Sequence, residues 1–258
     1  GLVMTSLQPG VVFGEDYLTL IKACKDGKYA LPAVNVTNTN TANAVMEAAA
    51  KNKSDVILQV SNGCAQFFAG KGLEDAFTAK VLGAVSFAQH VHMMAAHYGI
   101  CVVLHTDHAD KNLIPWIEAL LAQGKEFYDI TGKPLFTSHM VDLSAEDIDY
   151  NLNECARLLE QMAAIEMSIE IELGVTGGEE DGVGSDDIDN DKLYTQPEDC
   201  LLAWQKLNPL GHFSLAASFG NVHGVYKPGN VKLRPEILKN SQSLLSEKTG
   251  APENSYDL

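Results

Sequence analysis

Six short runs of β-branched and aliphatic residues recur along the chain. Each is followed by a longer stretch in which Ala, Leu, Ile and Met return at helical spacing. The runs predict strands over 30–36 (ALPAVNV), 56–61 (VILQVS), 101–107 (CVVLHTD), 135–143 (LFTSHMVDL), 168–174 (SIEIELG) and 213–218 (FSLAAS). Helices are predicted over 41–51, 79–98, 112–123 and 145–162, the last entered through Ser144 as N-cap. Alternating strands and helices imply an α/β fold with a parallel sheet, either doubly wound or closed into a barrel. Polar residues favour the barrel: Asn35, Ser61, Asp107 with His108, Asp142, Glu172 and the stretch from Ser218 to His223 fall at the carboxyl ends of successive strands. A TIM (β/α)8 barrel builds its site there, whereas an open sheet gathers such residues at one switch point. Only about six of the eight βα units are visible, and nothing divides 1–258 into more than a single domain.

Composition narrows the classes. The 258 residues are 46% apolar and 20% charged, with a formal net charge of −16. A chain this acidic lacks the clustered Lys and Arg that neutralise nucleic-acid phosphates, so no nucleic-acid partner is expected. Five scattered cysteines without CxxC spacing indicate neither a disulfide framework nor a zinc ribbon, and fit the reducing cytoplasm. No apolar run approaches membrane-spanning length, so no membrane partner is expected.

The chemistry-bearing groups lie at the strand ends. In LHTDH, His105 and Asp107 share a face by the two-residue strand period, while His108 is expected to open the loop beyond. His223 sits in SFGNVHGVYKPGN among glycines that permit close backbone approach to a ligand. Two imidazoles from different strands, His108 and His223, with Asp142 and Glu172 as oxygen donors, suit zinc with a position left for substrate. The acidic stretch ELGVTGGEEDGVG reads as a mobile loop whose Glu179 and Glu180 could deliver a carboxylate to the barrel mouth as general base; a solvated acidic turn is the blander alternative. Lys227 could meet a phosphate, or be merely solvated. His90, His92 and His97 read as surface or interface residues of a long helix, and His212 as loop. Neither a Walker A nor a GxGxxG motif is present, so no nucleotide cofactor is indicated.

Taken together, LHTDH, IEIELGVTGGEEDG and ASFGNVHGVYKPGN, with LPAVNV and LQVSNG upstream, resemble the class II, metal-dependent fructose-1,6-bisphosphate aldolases of the longer bacterial and fungal type. The resemblance covers nearly the whole chain. It implies Asp107 exchanging the proton on the substrate C4 oxygen, His108 and His223 ligating a catalytic Zn2+, and Glu180 taking a proton from dihydroxyacetone phosphate. It further implies Glu172 and Asp142 at alternative or second divalent-metal positions. Asn35, Ser61, Gly224 and Lys227 would contact substrate and its phosphates, and the Val222 and Gly224 carbonyls would face a monovalent cation, Na+ or K+. The implied partner is a sugar bisphosphate and the implied assembly a homodimer, with the helix over 79–98 as candidate interface. Against the family pattern, the sequence ends before the strands that bring a third zinc histidine and a second phosphate loop. An unclosed, inactive barrel with two exposed strand edges is therefore the expectation for these 258 residues alone. Tagatose-bisphosphate or other ketose-bisphosphate cleavage, and a non-catalytic metal-binding role, remain the alternatives.

Overall fold

A computed structural model describes residues 7–175, 177–180, 183–184, 193–225, 229 and 232–258. Along the chain these form β1 (Gly10–Val11), α1 (Gly14–Gly27), β2 (Ala33–Asn35), α2 (Thr39–Lys51), β3 (Val56–Val60), α3 (Asn62–Ala69), α4 (Ala76–Tyr98) and β4 (Cys101–Ala109). There follow α5 (Ile114–Thr131), β5 (Ser138–Val141), α6 (Ile148–Ala163), β6 (Ser168–Leu173), β7 (Gly177–Glu180) and β8 (Val183–Gly184). The last elements are α7 (Pro197–Leu207), β9 (Phe213–Ala217), β10 (Val222–His223) and α8 (Glu236–Thr249). Two compact units result, Gly1–Met140 with Glu160–Ile169, and Val141–Leu159 with Glu170–Leu258.

In the first unit β2, β3 and β4 pair in parallel, with Asn35 level with Gln59 and Gln59 level with His105. β4 is buried along its first six residues, which explains its unbroken apolar run. β1 pairs with the foot of β4, Gly10 level with Cys101. Higher up, the amide of Thr137 donates to Leu104 O at 2.8 Å, so β5 takes over the same edge. Thr137, fully buried, closes the seam: its hydroxyl donates to Val12 O at 2.6 Å and accepts from Leu104 N at 3.0 Å. Helix α2 starts where Asn38 and Thr41 form a reciprocal capping box, and α4 stops where Gly99 adopts a left-handed φ of 72°. The inner face of α4, with Ala84, Phe87, Ala88, Val91 and Ala95 completely covered, forms much of this unit's core.

In the second unit β6 neighbours β9. The other edge of β9 receives Asp257, whose carbonyl accepts from Leu215 N at 2.8 Å. One of the two edges expected to be bare is thus partly covered. Trp204 of α7 packs edge-on against Phe213 and Tyr256, and α7 lies against α8.

Several expectations need correction. β4 runs through Ala109, so His108 belongs to the strand and not to a loop. β5 is four residues long, shorter than the 135–143 run that predicted it. Ser144 does not cap α6, which begins at Ile148; its amide and hydroxyl bind the Asp142 carboxylate at 3.1 and 2.6 Å. The acidic segment contains strands: β7 pairs antiparallel with β8 and parallel with β10. α5 extends to Thr131 because its first left-handed stop is Gly132. His92 is a structural residue, hydrogen-bonded to Leu135 O at 2.9 Å and packed on Phe127, while His90 meets Asn43 at 2.8 Å.

Candidate active site

The upper ends of β2, β3 and β4 carry a connected polar layer. Because residues level across parallel strands share a face, Asn35, Gln59 and His105 point the same way, as does Asp107 two positions above His105. Gln59 Nε2 donates to Asn35 Oδ1 at 2.7 Å, and Asn35 Nδ2 donates to Asp107 Oδ2 at 3.1 Å. On this face His105 Nδ1 also lies 2.6 Å from Ser138 Oγ, while on the opposite, fully buried face His139 Nδ1 lies 2.7 Å from Thr106 Oγ1. Complete burial beside His105 pushes the His139 pKa down to about 3, so this ring is neutral.

Strand alternation alone would send Asp107 and His108 to opposite faces. At His108, however, φ is 29°, in the left-handed range that costs a β-carbon-bearing residue about 1–3 kcal/mol. The break in alternation leaves His108 Nε2 3.8 Å from Asp107 Oδ1, with both side chains about a quarter exposed. A carboxylate and an imidazole are therefore side by side at the open end of one strand, held by a strained backbone.

Ser61 ends β3 and caps α3, its hydroxyl accepting from Cys64 N at 3.1 Å and keeping its own proton to donate. A cavity of about 490 Å3 between β2 and α2, lined by Val34, Val45 and Ala48, contains none of the candidate residues.

In the second unit Asp142 and the buried Glu172 approach with carboxylate oxygens within 4.8 Å. Asn151 of α6 pins Glu172 by donating to its backbone carbonyl at 3.0 Å. Two carboxylates this close repel unless a proton or a cation stands between them, and their hard oxygens suit a divalent ion. Thr195 ties the ends of β6 and β9: its hydroxyl donates to Leu173 O and accepts from Ser218 N, and its amide reaches Ser218 O at 2.7 Å. Beyond that tie, Gly220 (φ 94°) runs so close to Lys232 that a β-carbon would lie 2.1 Å from its carbonyl oxygen. The chain then turns into Val222 and His223, half-buried on β10, and the exposed Gly224. The Glu180 side chain and Lys227 lie outside the described residues.

The sequence profile described as "Fructose-bisphosphate aldolase class-II" matches residues 15–251. The chain belongs to this family. It is 53% identical over 253 residues to a fructose-bisphosphate aldolase of Edwardsiella ictaluri, covering 97% of this chain and 71% of the relative. It is 52% identical over 254 residues to the class 2 fructose-bisphosphate aldolase of Escherichia coli, with the same coverage. The crystal structure of the Campylobacter jejuni fructose-bisphosphate aldolase superposes with a TM-score of 0.84 at 49% identity, over 96% of this chain and 69% of that one. Membership makes the fold class the α/β TIM barrel of the class II aldolases. The six strands on the path β2-β3-β4-β5-β6-β9 are the six the sequence announces.

Gln59, Ser138, His139 and Thr195 escaped the sequence reading of the site. Gln59 left a clear signal, a large polar residue inside an apolar strand and two positions before Ser61, on the same face. His139 inside LFTSHMVDL left another, although its three-residue offset from Asp142 turns it away from the site.

Proposed function

We propose that the protein reversibly cleaves fructose 1,6-bisphosphate to dihydroxyacetone phosphate and glyceraldehyde 3-phosphate at a zinc site. One observation besides family membership carries this reading: Asp107, oriented by Asn35, stands beside His108 at the end of β4. Breaking the carbon–carbon bond needs one group that moves the C4 hydroxyl proton and another that handles the carbanion proton. Asp107 takes the first role and Glu180 the second. His108 and His223, with Asp142 and Glu172, are the donors for Zn2+ and for a second divalent ion; imidazole and carboxylate together match zinc's preferences. When bound, zinc supplies Lewis-acid stabilisation of the enediolate charge, which removes any need for a Schiff-base lysine. Asn35, Ser61, the Gly224 backbone and Lys227 hold the substrate and its phosphates, and the Val222 and Gly224 carbonyls face Na+ or K+. Sites of this kind need no nucleotide.

A homodimer working in the cytoplasm completes the proposal. Met93 and Leu82, 71% and 51% exposed on α4, support an interface there. The five cysteines are free thiols, three of them buried. Among the described residues, no helix is long and apolar enough to cross a membrane.

The test is cleavage of fructose 1,6-bisphosphate by protein expressed from the whole gene, measured before chelation, after chelation and after zinc is restored. Activity should vanish with chelator and return with zinc. Folded, zinc-loaded protein that leaves this substrate intact but cleaves tagatose 1,6-bisphosphate would reassign the substrate; cleavage of neither would refute the aldolase reading.

A further inference from the structure

We propose that Gln59 is a positioning residue: it fixes which end of the Asn35 amide meets Asp107. The inference rests on the proposed role of Asp107. An asparagine amide is nearly symmetric in shape, and a half-turn about its last bond exchanges an acceptor for a donor. In the structure Asn35 turns its Nδ2 toward Asp107 Oδ2 at 3.1 Å and toward Cys64 Sγ at 4.0 Å. Its Oδ1 is left facing β3, where Gln59 Nε2 donates to it at 2.7 Å. The flipped amide would set Oδ1 against the Asp107 carboxylate, acceptor against acceptor, and Nδ2 against Gln59 Nε2, donor against donor. Both contacts turn repulsive together, so Gln59 and Asp107 choose the same orientation from opposite sides.

Gln59 can do this because register fixes it. It stands level with Asn35 on one side and with His105 on the other, and the flanking Leu58 and Val60 are fully buried on the opposite face. Its hydrogen bond goes to Asn35, and its influence on Asp107 passes through that amide. The carboxylate that must take and return the C4 proton thus keeps one oxygen engaged by a donor and its carboxyl plane fixed. Such orientation affects the rate of proton exchange more than substrate affinity.

The experiment compares Gln59→Glu, Gln59→Met and Asp107→Asn in protein from the whole gene, loaded with zinc, with melting temperature recorded for each. Gln59→Glu keeps the shape but replaces the donor by an acceptor, so it favours the flipped amide; Gln59→Met removes the hydrogen bond without favouring either orientation. The expected order of kcat is wild type, then Met, then Glu, with Glu down about tenfold or more, the scale of one charge-assisted hydrogen bond, and KM changed much less. A purely structural role would make kcat follow melting temperature, whatever the polarity of the replacement. If Gln59→Glu stays within twofold of wild-type kcat while Asp107→Asn is inactive, the inference is wrong and the aldolase reading stands. If Asp107→Asn keeps wild-type kcat, the role of Asp107 itself falls. Should Gln59→Glu fail to fold, Gln59→Met decides: a kcat lowered at least about threefold with little change in KM supports positioning, and an unchanged kcat refutes it.

Discussion

His108 shows at the scale of one residue how backbone and function are joined. Sequence alternation separates it from Asp107, yet a φ of 29° sets its ring 3.8 Å from that carboxylate. A residue with a β-carbon holds such a conformation at a cost of about 1–3 kcal/mol, and only glycine holds it without strain. The strain is tolerable if the imidazole is wanted where it is. His108→Gly should therefore separate stability from function. With chelator present, the variant is expected to melt no lower than the wild type, because relief of strain offsets the loss of a partly exposed ring. Calorimetric titration with zinc should show affinity falling by more than the roughly 10–100-fold that loss of an outer-shell partner costs. A metal-free variant that melts well below the wild type would show that the ring serves packing and not ligation.

Among the elements, the pair α3 and α4 shows how packing places a site residue. Gly83 lies on the buried face of α4, and a β-carbon there would come within 1.7 Å of the Ala65 carbonyl oxygen in α3. The helices approach to backbone contact, and α3 cannot be displaced without dragging its cap, Ser61. Gly83→Ala is expected to destabilise by about 1–3 kcal/mol, as overpacking does, and to raise KM through Ser61; denaturant unfolding and steady-state kinetics check the two effects separately. The seam residue Thr137 makes a second test. Thr137→Val keeps the volume but strands Leu104 N and Val12 O, so a loss of about 2–4 kcal/mol is expected in the same unfolding assay. These features also mark what the sequence made legible. β4, β5 and β6 stood out because burial on both faces leaves long aliphatic runs, as in CVVLHTD, β3 and β9 because they are β-rich and at least half buried, and the site residues because apolar strands end in polar groups. The very short β1 and β10 could not be seen, since two residues carry no period. Helix α6 was entered too early because Ser144 looks like a cap, while its hydroxyl is in fact committed to Asp142. The cross-strand chain from Gln59 through Asn35 to Asp107 depends on register between segments far apart in sequence, and local pattern does not encode it.

For the molecule as a whole, one buried histidine on the face of the sheet opposite the site has a consequence for stability against pH. His139 is completely buried, its pKa pushed down to about 3 by loss of solvation and, secondarily, by the neighbouring His105. In the unfolded chain the same ring titrates near ~6.5. Between these two values the unfolded state binds a proton that the folded state refuses, so stability rises with pH across the interval and is fully present only above the unfolded value. On acidification from neutral pH, the folded state should lose up to about 1.4 kcal/mol per pH unit from this one group. An acidic chain with net charge −16 sheds charge over part of the same range as its carboxylates protonate, which works in the opposite direction by easing self-repulsion. Wild type alone would therefore show a blurred sum, and the His139 contribution has to be isolated by difference. His139→Asn keeps a hydrogen-bonding group for Thr106 but cannot take up a proton. Its stability deficit relative to wild type, from urea unfolding at half-unit steps between pH 7.5 and pH 4.5, should be constant above pH 7 and narrow steadily below pH 6. A deficit that stays constant throughout would mean that His139 accepts its proton inside the fold as readily as outside, contrary to its burial.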